Sequence, residues 1–355
     1  MIKRLLYLLF LISLWLGGIA LKSVIVGAIL TLFVVYFIIP LVFHYSPALQ
    51  RHIVFLNFVN LPKGVDYNVP DKEDLPGTRN FYLQTDKKVK VGVWHILPES
   101  LISSIPKEES SDQVAWFEKS LCDERPVVLY LHGNTSSRAT AHRIELYKVL
   151  RKMDYHVIAF DYRGYADSSP VQPNEPGVVH DAKIVYRYLR ERIGSSPLFV
   201  WGHSLGTGVS THAVGDLCLE GDHPAALVLE SPFNNIKDEI KFHPLSSIFR
   251  KMPKFEWLFL NPLAKSGIDF RSDDHIAHVQ APVLILHAED DLVVPYTLGR
   301  KLYETAQRVR PKNAPTVKFV GFAAKCGYSH KYICRAPELP EILREFFDEA
   351  VKANN

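Results

Sequence analysis

One stretch restricts this chain more than any other: Leu198-Phe199-Val200-Trp201-Gly202-His203-Ser204-Leu205-Gly206-Thr207-Gly208. An apolar run with strand character meets a glycine-flanked serine, and a helical pattern follows. Gly202-His203-Ser204-Leu205-Gly206 is a G-x-S-x-G pentapeptide, weak evidence alone. Here it sits directly after a strand and opens a helix, the setting in which a serine is held on a sharp, strained turn. Side chains at Gly202 and Gly206 would collide with neighbouring backbone in such a turn. Ser204 Oγ is then presented above a helix N-terminus, where negative charge is favoured.

The surroundings fit that turn. Short apolar runs recur at Lys90–Ile96, Val127–Leu131, Val157–Phe160, Leu198–Trp201, Ala226–Leu229, Val283–Leu286 and Val317–Val320. Several are continuously apolar, as expected of strands buried on both faces of a mainly parallel sheet. Helical spacing appears between them, at about 139–152, 179–192, 205–219, 297–308 and 338–352. This alternation predicts an α/β-hydrolase fold, a mainly parallel doubly wound sheet. Residues 79–355 form the expected catalytic domain, and residues 104–113 read as a polar surface loop. Residues 233–278 break the rhythm with Phe242, Phe249, Phe255, Trp257 and Phe259 and with prolines 244, 253 and 262. They are expected to form a cap that packs on the core and offers an apolar lining to an acyl chain.

A serine hydroxyl needs a base to take its proton. In this fold the order along the chain is serine, acid, histidine. His330 is the single histidine after position 291, which assigns it as base. Glu289, Asp290 and Asp291 follow the run Val283–Leu286. Asp291-Leu292-Val293-Val294-Pro295 matches the Asp-x-x-Val-Pro pattern common at this place, so Asp291 is the expected acid, with Asp290 next. Two backbone donors must hold the oxyanion. The amide of Leu205 follows the nucleophile, and the amide of Asn134 lies in the loop His132-Gly133-Asn134 after Val127–Leu131. Asn134-Thr135-Ser136 is also the one N-glycosylation sequon, discounted because of that position. His132 is expected to orient the loop, and Arg163 and Asp167 to be structural loop residues. No metal spacing, phosphate-binding glycine loop or cofactor signature stands out.

The N-terminus is of another kind. Residues 5–21 and 24–43 carry no charge and are separated by Lys22-Ser23. Residues 24–43 meet the ~20 residues that a bilayer span requires. The first 43 residues read as an uncleaved membrane anchor. Whether one or both segments cross is open, because a two-residue break is very short for a hairpin. Lys3, Arg4 and Lys22 precede the strong span and place the N-terminus in the cytosol. One span then puts the catalytic domain in the lumen, and two would return it to the cytosol. Residues 44–78 read as a connector, with Ile53–Val59 apolar enough to lie at the membrane surface. A net charge of +3 over 355 residues argues against nucleic acid. Cys326 and Cys334 could pair in an oxidising compartment; free thiols are the plainer reading.

The same motifs carry a resemblance. Trp201–Gly208, His287-Ala288-Glu289-Asp290-Asp291, Tyr328-Ser329-His330-Lys331-Tyr332, Asn80–Gln84 and Gly92–His95 resemble the α/β-hydrolase domain-containing protein 12 family, over about residues 30 to 350. The resemblance implies a lysophosphatidylserine lipase that also hydrolyses monoacylglycerols. It implies a single-pass anchor in the endoplasmic reticulum membrane with the catalytic domain in the lumen. The family's triad falls on Ser204, Asp291 and His330. The second apolar segment at the N-terminus departs from its pattern. The expected function is a membrane-anchored serine lipase acting on lipid in the bilayer, with no cofactor and no obligate protein partner. A protein acyl-thioesterase is the alternative within the same chemistry. A non-catalytic membrane scaffold is the alternative outside it.

Overall fold

A computed structural model describes residues 2–106 and 111–354. Eight strands form one sheet: β1 Thr78–Asp86, β2 Val89–Ile96, β3 Val127–Leu131, β4 His156–Phe160, β5 Leu198–His203, β6 Ala226–Glu230, β7 Val283–Ala288 and β8 Val317–Phe322. Their order is β1-β2-β4-β3-β5-β6-β7-β8. The pairs β1·β2 and β2·β4 are antiparallel, and every other pair is parallel. Seven strands lie where the apolar runs place them. β1 was not signalled as a strand of its own. It is a half-exposed edge strand opening with Thr78-Arg79-Asn80, so it has no apolar run to announce it.

Helices cover both faces because the central strands are buried on both. Val127, Leu129 and Leu131 of β3 enter one apolar core, while Val128 and Tyr130 enter the other. On β5, Leu198 and Val200 face the first, and Phe199 and Trp201 the second. The helix Leu339–Asn354 seals the second core, its Phe347 ring stacked 3.8 Å from Phe199. Full burial of one such side chain stabilises the fold by roughly 1.5–3 kcal/mol. A helix over Ser111–Ser120 replaces the end of the expected surface loop; residues 107–110 of that loop lie outside the described residues.

Register sets the active edge. Leu131 pairs with Gly202, His203 with Glu230, and Glu230 with Leu286. Parallel strands in this register end together, so the segments leaving β3, β5, β6 and β7 emerge side by side. Between β6 and β7 the chain breaks into short pieces: the helices Ile236–Phe242, Asn261–Lys265 and Ser272–His275, and a π turn at Glu256–Leu260.

The N-terminal helix runs from Ile2 to Phe33, passes a π turn at Val34–Ile38 and continues to Tyr45. It does not break at Lys22-Ser23, so the two apolar segments form one continuous helix and the hairpin alternative falls. An 18-residue stretch within the helix Phe10–Tyr45 has a mean hydropathy of 2.8. At 1.5 Å per residue such a helix exceeds the ~30 Å hydrocarbon core of a bilayer. It fits a single-pass membrane protein. Pro40 accounts for the π turn: it lacks an N–H, and its ring crowds the carbonyl four residues back. Widening the helix to a bond from the Ile39 N–H to the Val34 carbonyl relieves that crowding.

The next segment is docked on the domain. Ser46 caps a helix over Pro47–Phe55, accepting from the Leu49 amide at 3.2 Å. Val54 and Phe55 of that helix are buried, and Phe55 packs edge-on against Phe270. The four cysteines are free, which resolves the question of Cys326 and Cys334 in favour of thiols.

Candidate active site

β5 delivers Ser204 in the strained conformation that the pentapeptide demands, φ 54° and ψ −120°. Three bonds hold the turn. The Ser204 amide donates to the Glu230 carbonyl at 3.0 Å, and the Thr207 amide and hydroxyl both donate to the Ser204 carbonyl. The glycines are needed for space. A Cβ at Gly206 would overlap the Leu131 carbonyl, and one at Gly202 would overlap Ser210 Oγ and the Gly206 carbonyl.

His330 Nε2 lies 2.9 Å from Ser204 Oγ, and His330 Nδ1 lies 2.7 Å from Asp291 Oδ2. All three side chains are buried. A carboxylate only accepts, so Nδ1 carries the ring proton and donates to Asp291. Nε2 is left with a lone pair that accepts the Ser204 hydroxyl. The amides of Val293 and Val294 each donate to Asp291 Oδ1 at 2.9 Å. Burial would raise the Asp291 carboxyl, but hydrogen bonds from His287 and His330 outweigh it and hold the group well below the usual carboxylate range. The arrangement thus favours the charged form of Asp291.

Asn134 and Leu205 both line the cavity in front of Ser204. Leu205 opens the helix Leu205–Leu219, so its N–H has no acceptor within the helix. A Cβ on Gly133 would come within 3.2 Å of Ser204 Cβ, which places the His132–Asn134 loop against the nucleophile. His132 is fully buried; burial holds its imidazole well below the ordinary value, and Nδ1 lies 2.6 Å from the Gly133 carbonyl. It packs in the loop beside Tyr162, ring centres 4.3 Å apart, as a neutral ring. Asn134 Nδ2 donates to the Val54 carbonyl at 3.3 Å, so its side chain has a structural partner.

Some residues here have roles that their positions in sequence do not reveal. Asp290, the second candidate acid, accepts the Ser329 amide with both oxygens at 3.0 Å, one residue before the base. Glu289 accepts the Ala324 amide at 3.1 Å. Glu289 is exposed, whereas Asp290 is half-buried. His287 approaches Asp291 Oδ2 to 3.3 Å and bonds the Val294 carbonyl at 3.0 Å. His203, inside the pentapeptide, has Nε2 2.9 Å from the His330 carbonyl, and burial holds its imidazole down to about 3. It is a neutral donor that fixes the backbone at His330. The signal for His203 and His287 was adjacency: His203 stands next to Ser204, and His287 four residues before Asp291. Arg163 and Asp167 are structural, as expected. Arg163 forks onto Asp181 at 2.9 and 2.7 Å, and Asp167 binds Arg138 at 2.7 Å. Arg138, fully buried between Asp161 and Asp167 under the Tyr67 ring, carried no motif to single it out.

The cavity holds about 380 Å³. Its lining includes Phe233, Ile236 and Ile240, and one carboxyl, Glu239, which burial and the nearby Asp291 charge push up to about 8. Phe255 lines it; Trp257 does not and is 42% exposed.

Elsewhere, Glu175, His212 and His275 bring ligand atoms within 4.8 Å of one another. The two imidazoles stack 3.7 Å apart at 16°, so their in-plane lone pairs run side by side instead of converging. Glu175 already accepts from the amides of Asp269 and Phe270 and bonds His212. As arranged, the cluster suits a hydrogen-bonded brace better than a metal site.

Comparisons with known proteins agree with the fold and the chemistry. A family model described as alpha/beta hydrolase fold matches residues 126–261. A protein named lysophosphatidylserine lipase ABHD12 from Gallus gallus is 48% identical over 312 residues, 88% of this chain and 81% of the relative. Its namesake from Danio rerio is 45% identical over 88% of this chain and 80% of the relative. Protein ABHD12B from Homo sapiens is 38% identical over 86% of this chain and 84% of that protein. Among solved structures, the Pyrococcus furiosus esterase Pf2001 superposes with a TM-score of 0.58 at 20% identity, covering 82% of this chain and 97% of its own. That likeness speaks to fold alone. With a serine hydrolase fold, and relatives of this identity over this length, the chain belongs to the ABHD12 family of α/β-hydrolase-fold enzymes.

Proposed function

We propose that this protein is a membrane-anchored serine lipase that removes the acyl chain of lysophosphatidylserine and of monoacylglycerols. One observation carries the reading: a Ser204–His330–Asp291 hydrogen-bond chain opens on an apolar cavity beside the transmembrane helix. The relatives' printed name supplies the head group. Ser204 Oγ attacks the acyl carbonyl carbon as its proton passes to His330 Nε2. Asp291 stabilises the imidazolium, and the amides of Leu205 and Asn134 hold the oxyanion. His330 returns the proton to the departing glycerol oxygen. Water then loses a proton to His330 and attacks the acyl-enzyme; the bond to Ser204 Oγ breaks, His330 returns the proton to Oγ, and the fatty acid leaves. No cofactor enters these steps.

The catalytic part is taken as residues 79–355, with residues 1–43 as anchor, 44–78 as connector and about 233–278 as cap. Lys3, Arg4 and Lys22 keep the N-terminus cytosolic, and one span then puts the catalytic domain in the lumen of the endoplasmic reticulum. The half-buried Asn134 side chain supports leaving its sequon unglycosylated. Two experiments test the reading. A fluorophosphonate probe should modify Ser204 in the full-length protein and nothing else; labelling that survives Ser204→Ala contradicts it. In sealed microsomes the catalytic domain should resist added protease until detergent is present; digestion without detergent contradicts the lumenal placement.

A further inference from the structure

The anchor does more than approach the cavity; it forms part of its wall. Ile39 and Phe43 of the N-terminal helix line it, as do Leu49 and Ile53 of the helix that follows. Phe255 and Phe259, from the chain between β6 and β7, line it too. The two sides are locked together. The rings of Phe43 and Phe259 lie 5.3 Å apart, and those of Tyr36 and Phe249 6.3 Å. His44 stacks on Trp257 at 4.1 Å, and its Nδ1 meets the Trp257 carbonyl at 2.9 Å.

Both sides of this seam are irregular for the same reason. Each carries a π turn, Val34–Ile38 and Glu256–Leu260, ending two residues before a proline, Pro40 and Pro262. Each proline has its i−4 carbonyl within the widened turn. Exposure then locates the opening. Phe43, Phe255 and Phe259 are less than 10% exposed, so they lie inside. Ile39 and Ile53 also line the cavity, yet they remain 43% and 47% exposed. They stand at its mouth. That mouth lies between the anchor helix and the helix that follows it, and Phe37, Ile38 and Val42, close to Ile39 along the anchor, are exposed apolar side chains too. An apolar surface of this kind is costly in water and suited to acyl chains.

We propose that the gap between the anchor helix and the Pro47–Phe55 helix, beside their seam with the Glu256–Leu260 turn, is the lipid entrance. The acyl chain of a single-chain lipid passes sideways from the bilayer between Ile39 and Ile53, and Phe43 and Phe259 bound the space it fills. The inference rests on the lipase reading above and adds that the anchor is part of the substrate site. Its consequence is that bulk at Ile39 discriminates against long chains.

The test uses full-length protein in phosphatidylcholine vesicles and the ratio of turnover on 1-acylglycerols with C18 and C8 chains. Ile39→Trp should lower the C18/C8 ratio at least fivefold. Leu30→Trp, on the same helix but away from the cavity, should leave the ratio within twofold of wild type. An unchanged ratio in Ile39→Trp overturns the entrance. A second measurement covers the case in which that variant fails to fold. A C18 fluorophosphonate with a diazirine near the chain terminus is attached to wild-type protein and irradiated. Crosslinks should map to residues 36–56 and 249–260, and crosslinks confined to other segments overturn the proposal. If wild type neither reacts with the fluorophosphonate nor cleaves either ester, the lipase reading has failed and the entrance falls with it. If wild type is active and only the ratio fails to move, the entrance alone is wrong.

Discussion

The cavity has two unlike borders. On one side is the edge of the sheet, where Ser204, His330 and Asp291 are tied by bonds of 2.7–2.9 Å and buttressed by His203, His287 and Asp290. On the other is the seam of the N-terminal helix with the chain between β6 and β7, made of aromatic and branched side chains with a hydrogen bond at His44. The first border fixes atoms to a fraction of an ångström, as acyl transfer requires. The second supplies shape and dryness, which tolerate small changes. Substitutions at the edge should therefore reduce kcat, and substitutions at the seam should change KM and chain preference.

Asp291→Asn should have the largest effect. An amide facing His330 Nδ1 favours the wrong tautomer, and kcat/KM should fall by about 10⁴-fold with the fold retained. A loss below tenfold in steady-state kinetics, with an unaltered circular dichroism spectrum, would reassign the acid. Asp290→Ala removes the acceptor of the Ser329 amide and loosens the loop carrying the base. It should lower kcat by about ten- to a hundredfold, in line with a lost supporting shell. A change in KM alone would place Asp290 with the seam instead. Phe259→Ala should leave kcat within a few-fold and raise KM for a C18 ester, because it enlarges a wall that is already concave. A collapse of kcat would show that the two borders are not separable.

The smallest effect on activity is expected at Glu230, buried behind the nucleophile with Trp201 Nε1 donating to it at 2.9 Å. Burial pushes its carboxyl from the ordinary 4.5 up to about 7. Between those values the folded protein keeps a proton that the unfolded chain releases, so stability declines as pH rises from about 4.5 to 7 and levels off above. The shift corresponds to about 3 kcal/mol at most. Glu230→Gln, which can still accept from Trp201, should raise the melting temperature at pH 8 and lose that advantage by pH 5. Equal melting curves for the two proteins at both pH values would remove Glu230 from the account.

The same contrast decides what could be read in the sequence. The edge is written in short, contiguous signals. The pentapeptide, the Asp-x-x-Val-Pro pattern and the lone downstream histidine sit at strand ends, and a parallel sheet in register brings strand ends together. Arg138 escaped notice because its partners come from two other segments, Asp161 and Asp167 from the loop after β4 and Asn80 from β1. β1 escaped because a half-exposed edge strand has no continuous apolar run. The seam was the least legible part. Ile39 and Phe43 serve a membrane helix and a cavity with the same apolar character, so their composition does not separate the two duties. Their second duty follows from contacts some 210 residues away, such as Phe43 with Phe259. Pro40 and Pro262 were visible, but a proline in a helical pattern signals a break more readily than a π turn.

The most direct test is hydrolysis of lysophosphatidylserine by the purified full-length protein in vesicles, with wild type and Ser204→Ala compared side by side. The account predicts free fatty acid from wild type and a loss of about 10⁴-fold or more in the variant. Release of fatty acid at comparable rates by both proteins would contradict it.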